Sequence, residues 1–571
     1  MIKYEPKWTT AKPSPLTVDE IATMTGVSET VAAAMVNRGV TPEEAELYIS
    51  AAHCLLPNPF MLLNMEKAAT RLAKAVRKDE RVAIWLDYDG DGQTAGALLC
   101  WLGRMLGVEF RPYIPDRLSE GYGLNPDGIH QLAKEGVSLL VTVDCGITAY
   151  AEAMLCKDMG IDLIITDHHT PGVDIPEAYA VVNPLLPGDK FPFKKLAGVG
   201  VAYNLAAATV EVLHKQGWFS ESSPKPCVGD LLPLVAIGTV ADVVELRSVN
   251  RAMVTQGIDR IRKGKHFFEG IKALCGVAEV DERKVTSGQI GYRLAPRLNA
   301  GSRMKTAQIG FDLLMSTNPL IASCHASELD HLNKMRQETE EEVVNQAIQM
   351  FESDPSLWER KTIVLASPEW HPGVIGIAAS RMVERYHRPT VLIAIDGDNG
   401  KGSCRSIKPF NIYDGLCECS GSLVRFGGHP MAAGLSLEAS KLQEFSEAFE
   451  NSAAYLTEED LRPIIIIDAE ANPEDLSLAI CKEVDQMEPF GMGNSRPVFS
   501  LMDCRVENVR ILKEKHLKLQ ISKNGWVFNA IGFNMVDSPL GETVDLAFVV
   551  ERNEWRGDVN LQLQLKAIGS L

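Results

Sequence analysis

Residues 82–99 read VAIWLDYDGDGQTAGALL. Val82 to Leu86 form a short, wholly apolar run with β-branched and aromatic members, the pattern of a buried strand. Asp87, Asp89 and Asp91 then alternate, Gly92 follows, and a stretch rich in Ala and Leu reads as a helix. Three carboxylates packed this closely repel unless they protonate or a cation lies among them. A calcium loop of the EF-hand kind is excluded. Its twelfth position, counted from Asp87, is Leu98 instead of a bidentate Glu, and the loop is entered from a strand instead of a helix.

The same order recurs along the chain. SLLVTVDCGI carries an apolar run into Asp144, and IDLIITDHHTPG carries another into Asp167, His168 and His169. LLPLVAIGTVADVVEL ends its apolar run at Asp242 and reads as a fourth strand end. Helical stretches separate these runs, so the expected class is α/β with a mostly parallel sheet covered on both faces. Ligands of such sheets sit beyond the carboxyl ends of the strands. A lone Asp after a strand is ordinarily a helix cap, but four such endings, one with adjacent histidines, point to a metal centre. Carboxylate and imidazole donors together favour Mn2+, with Mg2+ as a substitute. The number of acids suits two ions about 3.5–4 Å apart that share a bridging Asp and a hydroxide, an arrangement used for in-line phosphoryl chemistry.

At 571 residues the chain has room for three or four domains of about 150 residues each. With 46% hydrophobic and 23% charged residues it has the composition of a folded protein, not a disordered one. No apolar run approaches the ~18 residues of a membrane span, and MIKYEPKWTTAKPSP has no apolar signal core. The twelve cysteines show no zinc-site spacing; the close pair Cys417 and Cys419 lacks a second pair. Reduced thiols and a cytoplasmic location are expected. The net charge of −18, taken as a sum, argues against nucleic acid. Residues 251–310, however, hold twelve Lys/Arg against five Asp/Glu, a local +7 against −25 elsewhere. That island is either a phosphate-facing surface or a solvated charged face.

The second half carries groups suited to phosphate. GKGSCRSI offers backbone N–H groups, hydroxyls and Arg405 within a few residues. In GGHPMAAG, Gly427 and Gly428 permit close backbone approach and His429 supplies a donor; a tight turn is the structural alternative. IASCHASELDHLNKMRQETEEEVVNQAIQMF has helical periodicity with no internal Gly or Pro and reads as one long connecting helix. A coiled coil for a partner is less suited, because no strict heptad holds. From about residue 462 the pattern alternates, with a hairpin signal at Asn524–Gly525. Short alternating strands predict a small β-barrel. Trp526, Phe528 and Trp555 are candidates for base stacking or for barrel core and edge.

The ordered set DYDGDG, VDCGI, DHH and GTVADVV resembles the DHH phosphoesterase superfamily. YIPDRLSEGYGL, VVNP, LAGVGVAY, NR at Asn250–Arg251, LAPRLNAGSRM, the WHPGVIG segment, GKGSCRSI, RFGGHPMAAGLSL and EPFGMGNSRPVF narrow the resemblance to its RecJ branch, single-strand-specific 5′→3′ DNA exonucleases. NRGVTPEEAELYI and NPFMLLNMEKAATRL look like that branch's amino-terminal helices. The resemblance implies a helical segment over 1–75 packed on a DHH domain at 76–316, a connecting helix at 317–353, an α/β DHHA1 domain at 354–458 and an OB-like barrel at 459–571. It implies Asp89, Asp91, Asp144, His168 and Asp242 as metal ligands, Asp144 bridging. Asp87 would ligate or brace, His169 would contact the scissile phosphate, and Asp167 would orient the histidines from behind. Arg117, Arg303, Ser403 and Arg405 would hold a 5′ phosphate, and His371, Ser406, Gly427, Gly428 and His429 would contact substrate.

Three positions depart from the family's usual pattern: Cys145 stands where Asn is common, NAGSRM is shuffled around Arg303, and Glu245 replaces a Pro. The implied reaction is metal-dependent release of 5′ mononucleotides from single-stranded DNA in repair and recombination. A RecQ-type helicase and a single-strand-binding protein are the implied partners, and the implied form is a monomer. A DHH phosphoesterase acting on short oligonucleotides, phosphoanhydrides or cyclic nucleotides is the alternative, which the barrel disfavours. A non-catalytic scaffold is disfavoured because the ligand set is whole.

Overall fold

The computed structural model describes residues 6–50, 56–117, 120–264, 268–538, 540–555 and 557–569, with the Trp555 side chain outside that description. Lys7–Thr10 forms β1, whose partner strand comes from the far end of the chain. The first sheet comprises β2 (Val82–Leu86), β3 (Arg111–Tyr113), β4 (Leu139–Val143), β5 (Asp162–Thr166) and β6 (Ala180–Val182), ordered β3-β2-β4-β5-β6 and parallel throughout. Every residue of β2 and β4 is buried because helices cover both faces. Ile84, Leu86, Val141 and Val143 pack against the helices Met65–Lys78, Gly90–Met105 and Gly198–Lys215. Trp85, Leu140 and Ile165 face Pro126–Lys134 and Tyr150–Asp158. The carboxyl ends of β2, β4 and β5 therefore open on one edge, each delivering its acids or histidines there.

The fourth strand end is corrected. Leu232–Ala241 is a helix, and Asp242 is its C-cap residue. Residues Leu232–Thr239 are buried on all sides of that helix, and a run apolar all round carries no period by which helix and strand differ.

The helix Pro319–Ser353, about 52 Å long at 1.5 Å per residue, connects the halves. Its buried positions Ala322, Ala326, Leu329 and Leu332 belong to the first domain's core, and Val343, Ala347 and Phe351 to the next. That second core backs a sheet of β7 (Ile363–Ser367), β8 (Thr390–Asp396), β9 (Asn399–Arg405), β10 (Arg425–His429) and β11 (Ala432–Glu438), ordered β10-β11-β9-β8-β7, with β7 and β8 parallel and the other pairings antiparallel.

After β12 (Ile464–Ile467), which pairs with β1, come β13 (Ala469–Glu470), β14 (Phe499–Leu512), β15 (His516–Lys523), β16 (Trp526–Gly532), β17 (Thr543–Trp555) and β18 (Asp558–Gly569). β14 pairs with both β15 and β17, and β18 bridges β16 and β17, which closes a five-stranded barrel of the OB kind. Asn524 and Gly525, at φ 50° and 84°, make the predicted hairpin turn.

The amino-terminal segment divides its packing between the barrel and the DHH domain, where Arg251 lies over the Tyr48 ring at 4.3 Å. The helices Pro15–Thr25, Glu29–Asn37 and Pro42–Ile49 share a core with the barrel, not with the parallel sheet. Arg38 forms a two-pronged ion pair with Asp468, and Ser28 and Thr30 bond Glu483 and Asp475. Met65–Lys78, with the short 3-10 turn Pro59–Met61 before it, packs in the parallel sheet's core. Among the described residues, no helix is long and apolar enough to cross a membrane.

Candidate metal centre and phosphate pocket

The acids that end β2 meet those of β4 and β5 in three overlapping groups: Asp87, Asp89 and Asp144; Asp91, His168 and Asp242; and Asp144, His168 and His169. Within each, candidate ligand atoms lie within 4.8 Å of one another. Asp144 and His168 each belong to two groups, and of the two only the carboxylate has the lone pairs to serve two cations at once. His168 Nε2 lies 3.0 Å from Asp144 Oδ1 and 3.6 Å from Asp242 Oδ2. Those three atoms are buried and none is aligned for a hydrogen bond. Buried polar atoms are almost always partnered, so three orphans converging on one spot fit a cation in number and kind.

The electrostatics agree. Burial first, then neighbouring carboxylates, pushes Asp87, Asp91 and Asp144 well above the usual carboxylate range. Asp242 is also raised by burial, with His168 opposing. Without a cation this cluster takes up protons; with one it can ionise.

Local structure fixes each ligand. Asp89 caps the helix Gly90–Met105, its Oδ1 accepting from Asp91 N and Gly92 N at 2.9 and 3.1 Å. Asp91 accepts from Gly198 N and Val199 N, 2.6 and 2.9 Å away, at the amino end of Gly198–Lys215, where an anion is favoured. A Cβ at Gly198 would stand 2.6 Å from Asp144 Cβ, so only glycine lets that helix come so close. Asp144 itself has φ 63°, the left-handed region that Asp and Asn tolerate best.

Asp167 is fully buried. It accepts from Ile147 N, His168 N and His169 N at 2.9, 2.7 and 3.0 Å, and from the His169 ring Nδ1 at 2.7 Å. Burial opposes a charge on His169, but Asp167 outweighs it and holds the imidazole at about 9. Asp167 is held down in return, burial opposing.

Across the cleft lie the proposed phosphate groups. Ser403 and Arg405 sit on β9, with Arg405 Nη1 donating to Ser403 Oγ at 3.3 Å and Nε to Ser380 Oγ at 3.1 Å. Arg303, on the helix Ala295–Met304, is pushed down to about 10 by burial and then by Arg117, Arg336 and Arg405. Among the described residues no carboxylate ion-pairs with Arg117, Arg303 or Arg405, which leaves the group suited to an anion. Arg117 lies over the Tyr88 ring at 4.9 Å. Gly90 N donates to Asn299 Oδ1 at 2.7 Å, tying the helix that bears Arg303 to the acid motif.

His429 stacks on His169, ring centroids 6.4 Å apart, so the edge strand β10 overhangs the metal centre. Gly427 and Gly428 precede His429 on β10, and a Cβ at Gly428 would meet Ala433 Cα at 2.5 Å. His371 Nδ1 accepts from Gly373 N at 3.0 Å, beside Arg303, whose Nη1 donates to Gly373 O at 3.2 Å. Tyr122, Trp370, Lys401, Arg425 and Phe426 line an adjoining groove of about 890 Å3.

One substrate contact fails, and the barrel aromatics fall within the two readings open to them. Ser406 is buried and donates to Phe410 O at 2.6 Å, closing its own turn. Phe528 is in the barrel core, while Trp526 is half exposed at the hairpin. Trp555 falls on a side chain outside the described residues. The basic island is mostly consumed internally. Arg260, Lys263, Lys272, Arg293, Arg297 and Lys305 pair with Asp230, Asp259, Glu269, Glu279, Asp330 and Glu328. Arg251 and Arg262 donate to backbone carbonyls, Lys265 lies outside the described residues, and Arg303 is the member that turns to the cleft.

Sequence reasoning missed Tyr122, whose hydroxyl lies 3.2 Å from Asp144 O and 3.3 Å from His169 Nδ1, although it stood in a quoted motif. It also missed Arg336, hidden in the periodicity of the long helix.

Known proteins share this domain order. The model of the DHH family N-terminal domain matches residues 81–239, that of the DHHA1 domain 359–454 and that of the RecJ OB domain 467–567. The single-stranded-DNA-specific exonuclease RecJ of Escherichia coli (strain K12) is 39% identical over 88% of this chain and 89% of its own. That of Bacillus subtilis (strain 168) is 35% identical over 99% of this chain and 71% of its own. Crystal structures of RecJ from Thermus thermophilus superpose with TM-scores of 0.86 in complex with Mn2+, at 30% identity, and 0.80 in complex with Mg2+, at 28%. They cover 100% and 99% of this chain, and 80% and 79% of theirs. With the three domains in register and identity above 30% along nearly its whole length, the chain belongs to the RecJ family of single-stranded-DNA-specific exonucleases.

Proposed function

We propose that this exonuclease works 5′→3′ with two divalent cations, Mn2+ or Mg2+, and releases 5′ mononucleotides. The observation that carries the reading is the convergence of the unpartnered Asp144 Oδ1, His168 Nε2 and Asp242 Oδ2, opposite a cluster of guanidiniums with no ion-paired carboxylate among the described residues. Asp87, Asp89 and Asp144 would hold one ion, and Asp91, His168, Asp242 and Asp144 the other. Bound there, such ions supply Lewis acidity to a phosphoryl oxygen and acidify a water. The Thermus relative's structures in complex with Mn2+ and with Mg2+ support the choice of metal.

The chain's own residues do the rest. Arg117, Arg303, Ser403 and Arg405 grip the terminal 5′ phosphate, and that anchor sets which phosphodiester reaches the metals. His169, with Nδ1 committed to Asp167, keeps Nε2–H for the scissile phosphate and neutralises charge as it develops. Polarity then follows from an anion pocket on one wall and the metals on the other. The barrel holds the trailing strand, which must be unstacked for a base to reach a ring such as the half-exposed Trp526. A helicase that unwinds duplexes and a single-strand-binding protein would present such strands. The protein would act in the cytoplasm and as a monomer.

The test uses long single strands, with or without a 5′ phosphate and labelled at one end, in Mn2+, Mg2+ or chelator. Mononucleotides released from the 5′ end, only with metal and faster on phosphorylated ends, are expected. Release from the 3′ end, or indifference to chelator, would sink the reading.

A further inference from the structure

Asp242 caps its helix, its N–H donating to Gly238 O at 2.9 Å, and the segment that follows it and fixes where that helix end sits is not stabilised by local structure. Val243 has φ 62°, a left-handed conformation unfavourable for a β-branched residue, and its side chain is more than half exposed. Ser248, closing the segment, is also left-handed at φ 45°. Strain of this kind persists only where surrounding structure enforces it.

The enforcing contacts come from the carboxy-terminal module. Leu246 N donates to Met492 O at 2.8 Å, and Arg247 Nε donates to Gly493 O at 2.7 Å. Nearby, Ser287 Oγ donates to Phe490 O at 2.7 Å. The loop approaches closely because it is bare: a Cβ at Gly491 would stand 2.7 Å from Leu246 Cδ1, and one at Gly493 would stand 3.0 Å from Glu245 Cγ. Gly493 also needs its φ of 69°. From the other side, Asn250 Nδ2 donates to Lys195 O and Glu245 O at 2.7 and 3.1 Å.

The turn is itself clamped by Asn494, which is 3% exposed. Its Nδ2 donates to Met487 O and Pro489 O, both at 2.9 Å, and its Oδ1 accepts from Arg38 Nη1 at 3.1 Å and Tyr48 OH at 2.9 Å. All the bonding capacity of one buried amide is used to join the amino-terminal helices to this turn. Arg38 reaches onward to Asp468 at the foot of the barrel.

Taking Asp242 as a metal ligand, as proposed above, we infer that Gly493, Asn494 and Arg247 are positioning residues. The turn Gly491–Asn494 holds Asp242 in ligating geometry and makes the barrel a structural part of the metal centre. The carboxy-terminal module therefore does two jobs: it binds the strand and completes the site. Positioning shells around a metal commonly change affinity by roughly 10–100-fold, and one more remove from the ion places the expected effect at about tenfold.

The test is titration of the full-length, chelator-stripped protein with Mn2+ alone, read by calorimetry. Arg247→Met removes the exposed clasp without creating a clash, and Arg247→Lys restores a donor. Expected for Arg247→Met is Mn2+ affinity down about tenfold, kcat restored by excess Mn2+, and KM for single strands unchanged, with Arg247→Lys recovering much of the affinity. Gly493→Ala should act in the same direction. Equal Mn2+ affinity in folded Arg247→Met, Gly493→Ala and the parent chain would overturn the inference, even if thermal stability fell. Failure of the reading beneath it looks different: the parent chain itself would bind Mn2+ no better than Asp144→Asn.

Discussion

At the scale of single residues the metal centre is a store of repulsion. Asp144 is raised by burial and by Asp91, Asp89, Asp242 and Asp87. A carboxyl raised on folding contributes stability at low pH, and that contribution is lost as pH climbs above the unfolded value near 3.9. At neutral pH its charge therefore opposes the metal-free fold. Asp144→Asn keeps the left-handed backbone and removes the charge, so in chelator at pH 7.5 it should melt higher than the parent, the gap closing toward pH 4. Mn2+ should raise the parent's melting point, leave the variant's nearly unmoved, and rescue no activity in it. Thermal unfolding with and without chelator measures this; a variant that melts lower throughout would show that the acids are not repelling.

Gly198→Ala tests the close approach in the same place. Its Cβ would meet Asp144 at 2.6 Å, and a ligand pushed aside by about 1 Å costs roughly 10²-fold in rate. That loss should appear in single-turnover kinetics while circular dichroism stays unchanged. In the phosphate pocket, losing a charged hydrogen bond is worth about 1.5–3 kcal/mol. Arg405→Ala should thus cut kcat/KM on 5′-phosphorylated ends by roughly 10–100-fold and leave unphosphorylated ends almost as before.

At the scale of elements, the helix Pro319–Ser353 sets the distance between the metal centre and β9. Its buried centre holds Arg336 against Glu340 at 2.5 Å and Asn333 at 3.1 Å, between two apolar cores. Glu340 also accepts from Arg381 Nε at 3.4 Å, which ties the helix Ile375–Tyr386 of the DHHA1 domain to this point of the connecting helix. Four residues inserted between Glu341 and Glu342, both exposed, lengthen the helix by about 6 Å and rotate the DHHA1 domain by about 40° relative to the metal centre. Exonuclease activity should vanish while Mn2+ binding, read by calorimetry, persists. Retained activity would show that the two walls of the cleft need not be in register.

At the scale of the whole molecule the two chain ends form one unit, because the helices of 15–49 and the barrel bury a common core. Removing residues 462–571 alone uncovers the apolar face of those helices and should yield aggregates by light scattering. A fragment spanning 56–458 discards both halves of that unit and should remain dispersed. It should still cleave short oligonucleotides, slowly and with a raised Mn2+ requirement, and should lose its advantage on long strands. A dispersed 1–461 fragment would contradict the shared core.

What the sequence by itself determined was whatever short-range pattern encodes. Val82–Leu86, Leu139–Val143 and Asp162–Thr166 announce strands by composition and length, Pro319–Ser353 announces a helix by period, and Asn524–Gly525 announces its turn by chirality. The acids and histidines beyond those strands could be listed together because a parallel sheet sends every carboxyl end to one edge. Tertiary structure alone decided the rest. Leu232–Ala241 is apolar on every side, so its sequence carries no period, and only its neighbours make it a helix. Apolar faces on the helices of 15–49 say that something must cover them, not that the barrel does. Lys and Arg between 251 and 305 read as a phosphate-facing surface or a solvated one until the acids that pair with them, three to 33 residues away, come into reach. Periodicity is local because backbone geometry is local; pairing across the chain depends on which surfaces pack best, and no short window of residues contains that information.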